Sequence, residues 1–200
     1  VTFTILTVCT GNVCRSPFAE VDLERYLKDL DVRVTSAGTG ALVGEPVPEP
    51  GQRLAREMGI DLSEHRGRQM LESDVQEAGL ILALTREHRK AVVSTSPAAL
   101  RRTFTLREFA RIADHFAAEA GTTPAGDENS SDEDRLTSLV AFSARVRGTI
   151  PPPAENEDLD ITDPFRQPDS VYRESYDAIS RAVESIARFL TAGSTPPARN

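Results

Sequence analysis

The first seventeen residues constrain the fold more than any other part of the chain. An apolar run broken by threonines, "VTFTILTV", leads directly into "CTGNVCRSP". Apolar residues alternating with threonine over residues 3–8 predict a strand. Pro17 suits the first turn of a helix, where a missing N–H costs nothing. Both cysteines of the chain lie in the loop between the two. A strand that passes so quickly into a helix begins a parallel crossover unit.

The rest of the chain continues the alternation. The helix after "RSP" is expected to bury Leu23, Tyr26, Leu27 and Leu30, at helical spacing. Residues 32–37 predict a second strand, and "GTGALVG" a loop. Residues 50–58 predict a helix with Leu54, Ala55 and Met58 inward and Gly59 as its stop. The continuous apolar run "LILAL" at 80–84 predicts a strand buried on both faces. A helix from about Arg86 follows, then a short strand "TFTL" at 103–106. The next helix carries Phe109, Ile112, Ala113 and Phe116 on one side. The last helix, 171–191, places Tyr172, Tyr176, Ile179, Val183, Ile186 and Leu190 on one stripe. These elements predict an α/β domain of three layers, a four-stranded parallel sheet flanked by helices on both faces. One domain is expected over residues 1–191. An acidic, proline-containing insertion at about 119–160 interrupts it around a helix at 132–146, and residues 192–200 are expected to be a disordered tail.

Composition narrows the function. A net charge of −8 argues against nucleic-acid binding. No apolar run approaches the roughly 20 residues of a membrane span. Two cysteines do not make a secreted disulfide framework. The start has no basic leader and no methionine, so a trimmed, cytoplasmic protein is expected.

The loop itself points to chemistry. Cys9 stands at the carboxyl end of the first strand, the edge where open α/β sheets bind ligands. The residues after it, Thr10, Gly11, Asn12, Val13, Cys14, Arg15 and Ser16, curl towards a helix start. Their backbone N–H groups can converge on an anion, with the helix dipole adding positive potential. Gly11 and Asn12 are the types that best tolerate left-handed backbone angles. Such a cradle favours a thiolate, the nucleophilic form of cysteine. Arg15 presents a planar fork for two oxygens of a phosphoryl group, and Ser16 can donate to the sulfur. A proton donor for the departing oxygen is still needed. The candidate is Asp163 in "DITDPF", the only Asp-Pro pair in the chain, held extended by the proline. No cluster has metal-ligand spacing, and neither metal nor cofactor is expected. His88 and His115 are expected at the surface.

These residues resemble the low-molecular-weight protein-tyrosine phosphatases. That family's signature loop runs Cys, five residues, Arg, Ser near the N-terminus, as residues 9–16 do. "TSAGTGALVGEP" is similar to its second strand and pocket-wall loop, "GIDLSEHRGRQM" to the segment that follows, and "TDPF" to its late acid loop. With "LILALTREH", the likeness spans most of residues 3–190 outside the insertion. It implies a cysteinyl-phosphate mechanism on phosphotyrosine-containing protein substrates. Cys9 would be the nucleophile, Arg15 the phosphate clamp and Asp163 the acid and base. It also implies a supporting network of Asn12, Ser16, Ser36 and His65. On the residues alone, Ser36 and His65 are ordinary satisfied polar groups.

Two rim positions depart from the family pattern. Leu42 stands where relatives often have a large aromatic, and Phe165 is followed by Arg166, whose charge favours an acidic flank on the substrate. Cys14 is either a small buried loop residue or a redox partner for an oxidised Cys9. Two other functions compete. An arsenate reductase using an external thiol shares this type of loop, although the thioredoxin-coupled kind needs cysteines downstream of Cys14. A non-catalytic phosphate-binding module is the other.

Overall fold

The computed structural model describes residues 2–117 and 130–192. Its four strands are β1 (Phe3–Cys9), β2 (Val32–Gly38), β3 (Leu80–Ala83) and β4 (Thr103–Thr105). All pair in parallel, in the order β2-β1-β3-β4. β1 is therefore central, and each of its seven residues is buried. Its side chains divide by the two-residue period of a strand. Phe3, Ile5 and Cys9 enter the larger core, and Leu6 and Val8 the smaller one behind the sheet. Leu80 and Leu82 of β3 join the first, and Ile81 joins the second.

Helices cover both faces, as the sequence predicts. Seven are described: α1 (Arg15–Leu27), α2 (Glu49–Glu57), α3 (Glu72–Glu77), α4 (Arg86–Thr95), α5 (Leu106–Ala117), α6 (Asp132–Val146) and α7 (Asp169–Thr191). Val75 of α3 and Val92 of α4 fill the smaller core, while α1, α2, α5, α6 and α7 supply the larger one. All six residues of the predicted α7 stripe are buried. Each such side chain contributes about 1.5–3 kcal/mol. Tyr176 stacks on Phe18 of α1 with ring centroids 3.9 Å apart. Asp22 of α1 accepts from Ser180 of α7 at 2.9 Å, so a polar tie crosses the same seam.

Several sequence expectations need correction. Tyr26 lies 41 % exposed, and its ring carries the Arg25 guanidinium on it instead of facing the core. Leu106 opens α5 and does not end β4, because the Thr105 hydroxyl accepts the Glu108 N–H and turns the chain. The short helix α3 has no long periodic face and was not predicted. His88 is buried, and His115 is half-buried, edge-on to Phe116.

The helix expected at 132–146 is present with those bounds. It runs between the segment that leads into β2 and the first turn of α5. At its start Asp132 accepts the Asp31 N–H at 3.0 Å, and just beyond its end Arg147 forks onto Glu108 of α5 at 2.7 Å. Ser131 caps it by accepting the Asp134 N–H. Leu136, Leu139 and Val140 are buried, so this part of the insertion belongs to the core. Residues 119–129 of the insertion and 193–200 of the tail lie outside the described residues.

Candidate active site

β1 ends at Cys9 and α1 starts at Arg15, so residues 9–15 must reverse onto a helix within one tight loop. Asn12 makes this possible with a left-handed φ of 53°. Four successive carbonyls, those of Cys9, Thr10, Gly11 and Asn12, face outward. They accept from Thr39 N, Gly40 N, Leu42 N and His65 Nε2 respectively. A planar peptide sends its N–H opposite to its carbonyl. The N–H groups of Thr10, Gly11, Asn12 and Val13 therefore point into the hollow of the loop. The approach of loop to wall is so close that a Cβ on Gly38 would collide with the Thr10 carbonyl, and one on Gly67 with the Leu42 carbonyl.

Asn12 organises the interior of this turn. Its amide nitrogen donates to Ser16 Oγ at 3.0 Å and to Ser36 Oγ at 2.8 Å, and its amide oxygen accepts Arg68 N–H at 2.9 Å. His65 Nε2 donates to the Asn12 carbonyl at 2.7 Å. Burial, the largest influence on His65, pushes its imidazole towards the neutral form despite that bond. Ser16 Oγ lies 2.9 Å from Cys9 Sγ. The four polar residues expected to support the loop thus meet in one network around it.

That network has a member the sequence did not suggest. Glu20, on α1, bonds to the Ser36 hydroxyl. Burial pushes its carboxyl up to about 7, with Glu24 adding to the rise while Ser36 and Arg68 oppose it. A carboxyl raised in the fold makes the native state the better proton binder between its unfolded and folded values. Stability therefore falls as pH rises from about 4.5 to about 7, and the loss persists above. Glu20→Gln, which keeps an acceptor for Ser36, should flatten that slope. At pH 8 it should be more stable than the parent by about 1–3 kcal/mol, with no gain at pH 4.5. Urea unfolding at the two pH values measures this, and equal pH slopes would count against the assignment.

Arg15 is 3 % exposed. Its guanidinium donates to the Ile161 carbonyl at 3.0 Å and pairs with Asp163 at 2.7 Å. Its Nε, also buried, has no acceptor among the described residues. The Asp163 side chain is 51 % exposed and also accepts the Phe165 N–H at 3.2 Å, which tightens the turn after Pro164. The segment that carries Asp163 is anchored just upstream. Asp160 receives Arg86 N–H at 2.7 Å and the Arg86 guanidinium at 2.9 Å. Ile161 N–H donates to the Leu84 carbonyl at the end of β3. Sequence reasoning missed the Asp160–Arg86 tie, because nothing in either local pattern announces a partner 74 residues away.

A cavity of about 140 Å³ joins these pieces. Cys9 and Arg15 lie in its wall with Asp163 at the mouth. Val13, Leu42 and Phe165 provide apolar lining. Arg166, at a left-handed φ of 60°, lays its guanidinium 5.0 Å from the Phe165 ring centroid. Cys14 also touches the cavity, and its Sγ lies 3.7 Å from the Tyr172 hydroxyl. Burial pushes the Cys14 thiol up to about 12, so this sulfur stays protonated. Both cysteines are free thiols. Among the described residues no group of three or more His, Cys, Asp or Glu side chains is placed to hold a metal ion. No described helix is long and apolar enough to cross a membrane.

Residues 4–122 match the family described as low molecular weight phosphotyrosine protein phosphatase. The protein named "Probable low molecular weight protein-tyrosine-phosphatase EpsP" from Ralstonia nicotianae is 42 % identical over 105 residues, 52 % of this chain and 71 % of the relative. A protein-arginine-phosphatase from Geobacillus stearothermophilus is 31 % identical over 189 residues, 94 % of this chain and 96 % of the relative. The solved structure of the YwlE arginine phosphatase from the same organism superposes with a TM-score of 0.66 at 29 % identity. That alignment covers 95 % of this chain and 94 % of that one. Fold, loop and sequence together define a phosphoric monoester hydrolase. The chain belongs to the low molecular weight phosphotyrosine protein phosphatase family.

Proposed function

We propose that the protein hydrolyses phosphotyrosine in protein substrates, in the cytoplasm, through a cysteinyl-phosphate on Cys9. The observation that carries this is Arg15. A buried guanidinium with an unsatisfied Nε, beside inward-turned N–H groups and a cysteine sulfur, suits a tetrahedral oxyanion placed for attack. In the first step Cys9 Sγ, as thiolate, attacks phosphorus. The bond from phosphorus to the phenolic oxygen breaks, and the Asp163 carboxyl gives that oxygen its proton. In the second step water attacks the phosphocysteine. Asp163 takes the water's proton, the sulfur–phosphorus bond breaks, and Ser16 donates to the departing thiolate. Asn12, Ser36 and His65 act by holding the loop in shape.

Val13, Leu42 and Phe165 support an aromatic substrate, since an apolar rim can cover the faces of a ring. A second reading has its own support. A relative that aligns along nearly the whole chain is named an arginine phosphatase, and half-exposed Asp163 stands where it can pair with a guanidinium. Matched peptides bearing phosphotyrosine or phosphoarginine decide between the two. At least a tenfold higher kcat/KM for phosphotyrosine is expected. The reverse ratio would reassign the substrate while leaving the chemistry at Cys9 intact.

A further inference from the structure

His88 is a buried side chain beside this site to which the proposed mechanism gives no task. It lies in the first turn of α4 and is 5 % exposed. Both ring nitrogens are engaged. Nε2 is 2.8 Å from Thr10 Oγ1, and Nδ1 is 2.9 Å from Thr85 Oγ1. Thr85 caps α4, and its oxygen already accepts the His88 N–H at 3.2 Å. Among the described residues, Nδ1 is the acceptor within reach of the Thr85 hydroxyl hydrogen. If Nδ1 accepts, the neutral ring carries its proton on Nε2 and donates it to Thr10 Oγ1. The opposite tautomer would leave the Thr85 hydrogen without an acceptor and turn the Thr10 hydrogen away from the cavity.

Thr10 lines that cavity. Its carbonyl is held by Gly40 N–H at 3.1 Å and its hydroxyl oxygen by His88. Once that oxygen accepts from behind, its own hydrogen is free to point forward. We infer that His88 is a positioning residue for phosphoryl transfer, aiming the Thr10 hydroxyl at an oxygen of a phosphoryl group bound in the loop. The inference rests on the phosphatase reading above. The electrostatic surroundings agree with it. Burial, and then the Arg15 charge, push the His88 imidazole down to about 4, with Asp163 and Asp160 pulling the other way. The ring is therefore neutral at working pH. A protonated ring would donate from both nitrogens and force the Thr85 hydrogen aside.

The test is a double-mutant cycle of His88→Ala and Thr10→Val, with His88→Gln and His88→Asn alongside. Turnover of p-nitrophenyl phosphate and the Kd for inorganic phosphate are both measured. Each single variant should lower kcat about tenfold, the worth of one well-placed hydrogen bond, with KM changed less than about threefold. The double variant should be no slower than Thr10→Val alone. His88→Gln reaches as far as Nε2 and should recover most of the rate, whereas His88→Asn reaches only as far as Nδ1 and should not. Independent, multiplying losses would overturn the inference, as would equal rates for the Gln and Asn variants or a His88→Ala protein with lower thermal stability and unchanged kcat. If the wild type shows no turnover, the phosphatase reading fails first. The same cycle read on phosphate Kd then decides: non-additive losses uphold the His88–Thr10 coupling, and additive ones reject it.

Discussion

Cys9→Ser abolishes turnover, with an expected loss of at least ~10⁴-fold in kcat. The replacement is nearly isosteric at a site 2 % exposed, and its oxygen can still meet Ser16 Oγ where the sulfur lies at 2.9 Å. The loop should therefore keep its shape, and inorganic phosphate should bind within a few-fold of wild type. The nucleophile is what is lost. A thiol ionises far more readily than an alcohol, so the serine hydroxyl cannot replace the sulfur as nucleophile. Cys14 supplies the contrast within one loop. Its sulfur is held protonated by burial, so Cys14→Ser should keep turnover within about tenfold of wild type. Alkylation separates the two without mutation. Iodoacetate should modify Cys9, phosphate should protect it, and Cys14 should stay unlabelled. Full activity in Cys9→Ser would move the chemistry elsewhere.

The residues near this loop were legible in the sequence because their constraints are local. A strand period, a left-handed Asn12 and a helix start within one short stretch leave little choice of geometry. Periodicity also identified the α7 stripe, because burial on one face repeats every few residues. Contacts made across the fold were harder to read. Asp160 and Arg86 look like surface charges until the sheet brings the end of β3 and the segment that carries Asp163 together. His88 misled for the same reason. One histidine four residues beyond a strand carries no sign of the threonine that will meet it from another loop. Glu20 sits in a charged helix stretch, and its raised carboxyl follows from burial that only packing creates. Tyr26 matched the helical period, yet it lies 41 % exposed, outside the face that α1 buries.

Asp163→Asn separates two roles of one carboxyl group. As general acid it is expected to supply about 10²–10⁴-fold of rate, so kcat on a phosphotyrosine peptide should fall by that range. With p-nitrophenyl phosphate the loss should be smaller, because nitrophenolate leaves with little need of a proton. The second role opposes binding. The carboxylate lies 2.7 Å from the Arg15 guanidinium, the same group that must receive the phosphate oxygens. Substrate and Asp163 therefore compete for one fork, and an entering phosphoryl group must displace the carboxylate. The pair is half exposed on the Asp163 side, so its strength is modest, about 1 kcal/mol or less. Asparagine removes that competitor, and inorganic phosphate should bind up to about fivefold more tightly while catalysis collapses. Slower turnover with tighter phosphate is a combination that simple damage to the loop would not give. A parallel loss of both would instead make Asp163 a structural anchor of Arg15 and return the search for a proton donor to the rest of the rim.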